Sequence, residues 1–237
     1  MRKGSLGLAF VLCVVSAPVL PSLAQAPRIV SDVDELDRVD TTARYLFYLH
    51  AKIVEDQGLP AVSDQYGEFK YADILNRFAR DGFTVVSEVR PKDASSGLYA
   101  RRTAAQVRAL LDAGVAPSSI TVVGASKGAY IAALVSHEVA TPGVGYVILA
   151  MCARETVDYM LSQGTRLHGD VLALRDAEDT PDLAGSCEPL FDMSADIGAT
   201  REIVVNVGTG HGILFQPIDE WVMPVIDWAR NRPSARR

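Results

Sequence analysis

The segment Gly-Ala-Ser-Lys-Gly at residues 124–128 is the part of this 237-residue chain whose residue types and spacing point most directly to chemistry. It follows the β-branched run Ile120–Val123 and leads into a helical pattern over Lys127–Val139, so we expect a strand, a sharp turn and a helix. Such a turn exposes a hydroxyl beside the free N–H groups of a helix N-terminus, which stabilise negative charge. Ser126 is therefore the predicted nucleophile. The backbone N–H of Lys127 is a predicted donor to the oxyanion that its attack creates.

A serine hydroxyl is a poor nucleophile until a base accepts its proton, and His211 is the best candidate for that base. It directly follows the predicted last strand, Glu202–Val207, and lies between Gly210 and Gly212. His137 falls inside the predicted helix, where a surface or packing role is expected. His168 precedes a predicted strand, which places it at the opposite edge of the sheet.

A carboxylate must orient the imidazole and stabilise its charged form. The segment Val171–Asp179 offers three acids close behind a predicted strand, namely Asp176, Glu178 and Asp179. At least two of them are expected to be solvated loop residues.

The elements that must position these side chains alternate between strands and helices, which predicts an α/β protein with a mostly parallel sheet. In such sheets the site lies at the carboxyl ends of the strands, and each candidate above follows a strand. Residues 27–42, 52–70 and 92–98 are interpreted as exposed segments or loops. The predicted strands span residues 45–49, 83–89, 120–123, 144–150, 170–174 and 202–207, and the predicted helices 71–80, 100–113, 127–139, 154–163 and 217–230.

The order of Ser126, an acid after a strand and His211 after the last strand resembles the α/β-hydrolase fold family, from Tyr45 to the closing helix. It looks like a small secreted member of the dienelactone-hydrolase or carboxylesterase type. The resemblance implies a three-layer sandwich with little or no cap. Aligning Leu172–Leu174 with the family's strand makes Asp179 the catalytic acid and Asp176 the alternative.

The same resemblance implies a second oxyanion donor in the loop after Tyr45–Leu49, where many relatives carry His-Gly. This chain has His50-Ala51, so Ala51 is the expected donor, without the tolerance of glycine for unusual φ. His50 is expected either to belong to this site or to be a packed or capping residue.

Residues 1–26 are predicted to be a cleaved signal peptide, leaving residues 27–237 as one domain. Arg2 and Lys3 precede an apolar run, and Ala24-Gln25-Ala26 ends in small residues typical of a cleavage site. Cleavage removes these two cations and no acid, so the net charge changes from −6 to −8. That charge argues against nucleic acid and anionic membrane surfaces as partners, and we expect no stable membrane anchor. The expected location is the periplasm or the outside of the cell.

The mature chain retains two cysteines, Cys152 and Cys187, which in an oxidising compartment predict a disulfide. A nucleophilic cysteine and a metal site are the alternatives, but neither cysteine has a C-x-x-C motif or a cluster of Cys and His residues beside it. No metal-ligand spacing or Walker loop is present. The glycine-rich segment 208–212 follows the last predicted strand without a further βαβ unit, so no metal and no cofactor is expected.

Two functions of different classes follow from these patterns. The first is an exported serine hydrolase that cleaves an ester or related acyl bond of a small molecule, with acyltransferase or peptidase chemistry as variants. The second is a non-catalytic protein of the same fold that binds a ligand or partner. The side chain of Lys127 either favours an anionic substrate or points to solvent.

Overall fold

The computed structural model describes residues 28–232, and a seven-stranded sheet forms the centre of this part of the chain. Its order is β1-β5-β2-β6-β7-β8-β9, and every adjacent pair is parallel. β3 and β4 form a separate antiparallel pair. The strands are β1 (Arg28–Val30), β2 (Arg44–Leu49), β3 (Val62–Ser63), β4 (Gly67–Glu68), β5 (Phe83–Val86), β6 (Ile120–Ala125), β7 (Gly145–Leu149), β8 (Gly169–Asp176) and β9 (Ile197–Val205).

Helices cover both faces of the sheet, which confirms the predicted α/β layering. Along β2, Tyr45, Phe47 and Leu49 belong to the apolar core on one face of the sheet, and Leu46 and Tyr48 belong to the core on the other face. This alternation follows from the two-residue period of a strand that is buried on both faces. The helices are α1 (Lys52–Gln57), α2 (Tyr71–Arg80), α3 (Ser96–Asp112), α4 (Lys127–Val139), α5 (Arg154–Ser162), α6 (Glu188–Asp192) and α7 (Asp219–Asn231).

Several elements differ from the prediction for identifiable reasons. Residues 28–30, interpreted as an exposed lead-in, form the edge strand β1, because pairing with β5 satisfies their backbone despite the polar sequence around them. The segment 52–70 contains α1 and the β3–β4 pair, which are too short to produce a periodic signal. β8 and β9 are longer than predicted because they pair with each other well beyond their apolar centres.

Cys152 and Cys187 form the predicted disulfide, with Cα atoms 5.2 Å apart. Cys152 follows β7 and Cys187 precedes α6, so the bond encloses α5, β8 and the Asp179 loop. For a loop of 35 residues, restriction of the unfolded chain corresponds to about 3–4 kcal/mol of stabilisation. The bond is a structural brace close to the candidate site.

The predicted signal peptide and the last five residues of the chain lie outside the described residues. The preceding residue, Arg232, is held against the rest of the fold. Its guanidinium pairs with Asp170 at 3.3 Å and donates to the Gly143 carbonyl at 2.8 Å. Between residues 28 and 232, none of the helices has the length and apolar character needed to cross a bilayer.

Candidate active site

Ser126 lies at the apex of a sharp turn between β6 and α4. Its φ of 52° and ψ of −115° fall in a region that residues with side chains rarely adopt. The Ser126 N–H donates to the Leu149 carbonyl at the end of β7 (2.9 Å), and the Ser126 carbonyl accepts from Ala129 and Tyr130 in α4. These bonds on both sides hold the strained turn, so that the serine is presented at the carboxyl edge of the sheet.

Both glycines of the motif are required by close approach of the backbone. A Cβ atom on Gly124 would lie 2.1 Å from the carbonyl oxygen of Gly128. A Cβ atom on Gly128 would lie 1.9 Å from the carbonyl oxygen of Leu49. Only glycine therefore allows α4 to begin against the end of β2. This contact places the first turn of α4 beside His50 and Ala51, the segment expected to bind an oxyanion.

His211 connects Ser126 to one of the predicted carboxylates. Its Nε2 lies 3.0 Å from the Oγ of Ser126, and its Nδ1 lies 2.8 Å from the Oδ2 of Asp179. His211 is in the short 3-10 helix Gly210–Phe215 after β9, and Asp179 lies three residues beyond β8. The carboxylate side chain is only 1% exposed, whereas that of His211 is 16% exposed and reaches the surface of the site. The three groups form a continuous hydrogen-bonded chain, which is the arrangement that a nucleophile, a base and an orienting acid would require.

Asp176, the alternative acid, supports the backbone of this site and makes no hydrogen bond to His211. Its carboxylate accepts from the backbone N–H of Thr209 (2.9 Å), Glu178 (3.1 Å) and Gly208 (3.4 Å). Burial raises the pKa of Asp176, but these hydrogen bonds outweigh it and lower the pKa below its ordinary value. Asp176 thus joins the loop that carries Asp179 to the loop that carries His211.

The backbone N–H groups of Ala51 and Lys127 are the two candidate oxyanion donors. Within residues 28–232 neither of them donates to another protein group. Lys127 is the first residue of α4, where N–H groups have no partner inside the helix. Ala51 precedes α1 with φ −70° and ψ 164°, an ordinary extended conformation. The absence of glycine at position 51 therefore imposes no backbone strain on this candidate donor.

No protein-family model and no curated protein matches this sequence. Similar solved structures include SOBER1 from Arabidopsis thaliana, with a TM-score of 0.55 and 14% identity over 80% of this chain and 99% of that chain. Another is esterase PE8, with a TM-score of 0.54 and 16% identity over 84% of this chain and 97% of that one. A third is MGS-MChE2, an α/β-hydrolase enzyme from the metagenome of lagoon sediments at Mar Chica, Morocco. Its TM-score is 0.50, with 15% identity over 80% of this chain and 92% of that one.

This chain has the α/β-hydrolase fold. At identities of 14–16% the similarity establishes the fold alone. The predicted family resemblance is confirmed at that level. The chemistry of the site depends on the side chains that this chain places at the ends of its strands, not on the fold.

The ammonium group of Lys127 is paired inside this α/β-hydrolase fold. It contacts the carboxylate of Glu55 and donates to the Ala94 carbonyl at 2.8 Å, and its side chain is 20% exposed. The alternative in which Lys127 extends into solvent is therefore wrong. An anionic substrate gains no unpaired cation from this residue, because the charge is directed at an internal carboxylate.

Glu55 and Arg90 were missed by the sequence analysis, although both are at the candidate site. The Arg90 Nε lies 2.7 Å from Oε1 of Glu55, and both side chains are almost completely buried. Arg90 follows β5 and Glu55 follows β2, the same position after a strand that singled out the other candidates. Their position after a strand was the sequence feature that could have identified them as candidates. Their burial could not be inferred because isolated Arg and Glu are usually exposed.

His50 is a buried, neutral histidine. Its Nε2 accepts from the backbone N–H of Arg90 at 2.9 Å, which leaves Nδ1 to carry the proton and donate to the Ala51 carbonyl at 2.9 Å. Its ring meets that of Tyr71 edge-on. Burial, followed by the charge of Arg90, lowers the pKa of His50 to about 3. Of the two roles expected for His50, packing is the one that these contacts favour.

This lowered pKa predicts a pH-dependent stability. In the unfolded chain His50 takes up a proton near its ordinary pKa of 6.5, whereas in the folded chain it does so only near 3. The unfolded state therefore binds more protons between these values, and stability is lost as the pH falls through this window, by up to about 1.4 kcal/mol per pH unit. Urea unfolding of wild type and of His50→Gln between pH 6.5 and about 4.5 measures this effect. The slope of the free energy of unfolding against pH should correspond to about one proton fewer in the variant than in wild type. Equal slopes would contradict the prediction.

Two clefts open beside Ser126 and His211, and Leu183 lines both. The cleft on the Ser126 side has a volume of about 460 Å³, and the one on the His211 side about 230 Å³. The larger cleft is bordered by Tyr130, Met151 and Tyr159 and the smaller by Tyr66 and Thr209, none of which the sequence analysis identified. Glu178, one of the three acids considered from the sequence, also lines the smaller cleft.

Proposed function

We propose that this protein is an exported serine hydrolase that cleaves an ester or a related acyl bond through an acyl-enzyme. The observation that carries the proposal is the hydrogen-bonded chain from Ser126 through His211 to Asp179. The names of similar structures, which include an esterase, agree with hydrolysis. A serine in a strained turn, bonded to a histidine that is bonded to a buried carboxylate, is the arrangement that nucleophilic acyl transfer requires.

The chemistry follows from the positions of these atoms. Ser126 Oγ forms a bond to the acyl carbon while its proton passes to Nε2 of His211, and Asp179 stabilises the resulting imidazolium. The carbonyl oxygen becomes an oxyanion that accepts from the N–H groups of Lys127 and Ala51. Collapse of this intermediate breaks the bond to the leaving alcohol, which takes the proton from His211. Water then attacks the acyl-enzyme by the same steps and releases the acid.

The two clefts suggest how the halves of the substrate are arranged. The leaving oxygen must lie within reach of His211 Nε2 to receive its proton, so we assign the alcohol to the smaller cleft. The acyl group then occupies the larger cleft, where Tyr130, Met151 and Tyr159 provide aromatic and apolar contacts. Because Glu155 and Asp182 also line the larger cleft, we expect neutral acyl groups rather than anionic ones.

Export is part of the proposal and rests on separate observations. The Cys152–Cys187 disulfide is the form expected in an oxidising compartment. The predicted signal peptide at residues 1–26 gives the same location.

Labelling with a fluorophosphonate tests this function, because such a probe phosphonylates an activated serine without needing the natural substrate. We expect purified native protein to be labelled and the adduct to map by mass spectrometry to the tryptic peptide that contains Ser126. We also expect hydrolysis of p-nitrophenyl butyrate and longer esters to exceed that of the acetate, because the acyl cleft is large enough for more than a methyl group.

Two outcomes would refute the proposal. Native wild-type protein that takes up no probe would favour the non-catalytic binding protein instead. Equal labelling of wild type and Ser126→Ala would show that the probe reacts elsewhere. Heat-denatured protein is the control for nonspecific labelling.

A further inference from the structure

Glu55, Arg90 and Lys127 form a charged cluster directly behind the two candidate oxyanion donors. They follow three neighbouring strands, β2, β5 and β6, respectively. The Arg90 and Glu55 side chains are 1% and 0% exposed. One carboxylate therefore contacts two cations, and the cluster retains a net positive charge beside the place where an oxyanion would form.

Arg90 binds the same peptide group that presents one of these donors. Its Nη2 donates to the carbonyl oxygen of His50, and this carbonyl and the N–H of Ala51 belong to one planar peptide. A cationic donor on the oxygen fixes the orientation of that plane. It also withdraws electron density from the amide, which makes the N–H on the other side a stronger donor.

Glu55 links this peptide to the second donor. Its Oε1 accepts from Nε of Arg90 at 2.7 Å, and its Oε2 contacts the ammonium of Lys127. The backbone N–H of Lys127 is the other candidate donor. A single buried carboxylate thus connects the side chains that control both sides of the oxyanion site. The backbone N–H of Arg90 also holds the His50 ring, at 2.9 Å from its Nε2.

We propose that Arg90 and Glu55 are positioning residues for the oxyanion site, which they orient and polarise through the His50–Ala51 peptide and through Lys127. This inference rests on the proposed function. Burial of the Arg90–Glu55 ion pair is an expensive way to stabilise a fold, since well-packed apolar residues usually do as well. The charges lie behind two N–H groups that have no protein partner within residues 28–232. In that position they would stabilise the negative charge that develops in the transition state.

Arg90→Lys is the informative variant, because lysine keeps the charge but cannot bind Glu55 and the His50 carbonyl at the same time in a planar fork. Removal of an oxyanion donor typically lowers kcat by about 100- to 1000-fold, so misorientation of one is expected to lower it by about 10- to 100-fold with little change in KM. The inhibition constant of a trifluoromethyl ketone, which forms an oxyanion on Ser126, should rise by the same factor. The corresponding secondary alcohol, in which the ketone carbonyl is reduced, forms no oxyanion, and its inhibition constant should not change.

Lys127→Met provides a second variant that keeps both backbone N–H groups and leaves Glu55 paired with Arg90. Loss of one cation near the oxyanion is expected to lower kcat and ketone affinity by about tenfold. Asp170→Asn is the matched control, since it disrupts the buried Asp170–Arg232 pair at the amino end of β8. We expect it to lower the melting temperature while kcat and ketone affinity stay as in wild type.

The outcomes separate this inference from the proposed function. Wild-type protein that neither hydrolyses esters nor reacts with the fluorophosphonate would refute the proposed function and this inference with it. Active wild type together with Arg90→Lys and Lys127→Met variants that keep kcat and ketone affinity within about twofold would refute the positioning role alone. If Arg90→Lys does not fold, Lys127→Met decides between these results. A loss of kcat without a parallel loss of ketone affinity would also refute it.

Discussion

Replacement of Ser126 by alanine is expected to lower kcat for p-nitrophenyl esters by about 10⁶-fold, the loss seen when the nucleophile of a triad is removed. The reason is that His211 then has no hydroxyl to deprotonate, so the acyl-enzyme cannot form. Residual activity would come from the oxyanion site and from substrate binding, which together retain about 10³- to 10⁴-fold over water. KM should change little, since the hydroxyl contributes mainly to the transition state.

Initial rates on a p-nitrophenyl ester, with the melting temperature of each variant, measure this effect. The matched control is Ser118→Ala, which removes an exposed hydroxyl in the 3-10 helix Pro117–Ser119, just before the amino end of β6. Ser126→Ala should fold about as well as wild type, because alanine keeps the Cβ atom of serine and removes only the hydroxyl group. If the Ser126→Ala variant kept more than about one hundredth of the wild-type kcat, Ser126 would not be the nucleophile.

Replacement of Asp179 by asparagine is expected to lower kcat by about 10⁴-fold, the second-largest effect. The Asp179 carboxylate accepts from Nδ1 of His211 at 2.8 Å and so keeps Nε2 free to take the proton of Ser126. An amide can instead donate to Nδ1, which favours the wrong tautomer, and it cannot balance the charge of an imidazolium. The shape of the loop should be retained, because the two side chains have nearly the same volume.

Asp176→Asn is the comparison that decides between the two predicted acids. The Asp176 carboxylate accepts from the backbone N–H groups of Glu178, Gly208 and Thr209, so the variant should be less stable than wild type. Its kcat should fall by less than about tenfold. Rates and urea unfolding of both variants are to be measured together. A large loss of kcat in Asp176→Asn with near-normal turnover in Asp179→Asn would reverse the assignment of the acid.

The nucleophile turn could be predicted in detail because its determinants are local. The boundaries predicted for α4 and α2 agree with the structure. β-Branched residues, two glycines and a helical pattern all fall within about twenty consecutive residues, and no distant partner is needed to interpret them. His211 was identified for a similar reason, since a loop after the last strand must reach the carboxyl edge of the sheet.

The acid could only be narrowed to a short segment. Asp176, Glu178 and Asp179 lie within four residues, and all three follow the same strand. Their roles differ because Asp176 meets backbone N–H groups of the next loop whereas Asp179 meets the imidazole. That difference depends on the paths of two loops whose residues Asp179 and His211 are 32 positions apart in the chain, which local propensity does not encode.

The sequence by itself determined the α/β class, the turn at Ser126, the choice of His211 as the candidate base and the pairing of the two cysteines, because each depends on periodicity, on a local motif or on a small number of candidates. Only the tertiary structure decided which acid meets His211 and showed that alanine is unstrained at position 51. It alone placed Glu55, Arg90 and Lys127 in one cluster. The three residues are far apart in the chain and meet because β5, β2 and β6 are neighbours in the sheet. Burial of the Arg90 and Glu55 charges is tolerable because each is paired with the other, so neither could be recognised alone.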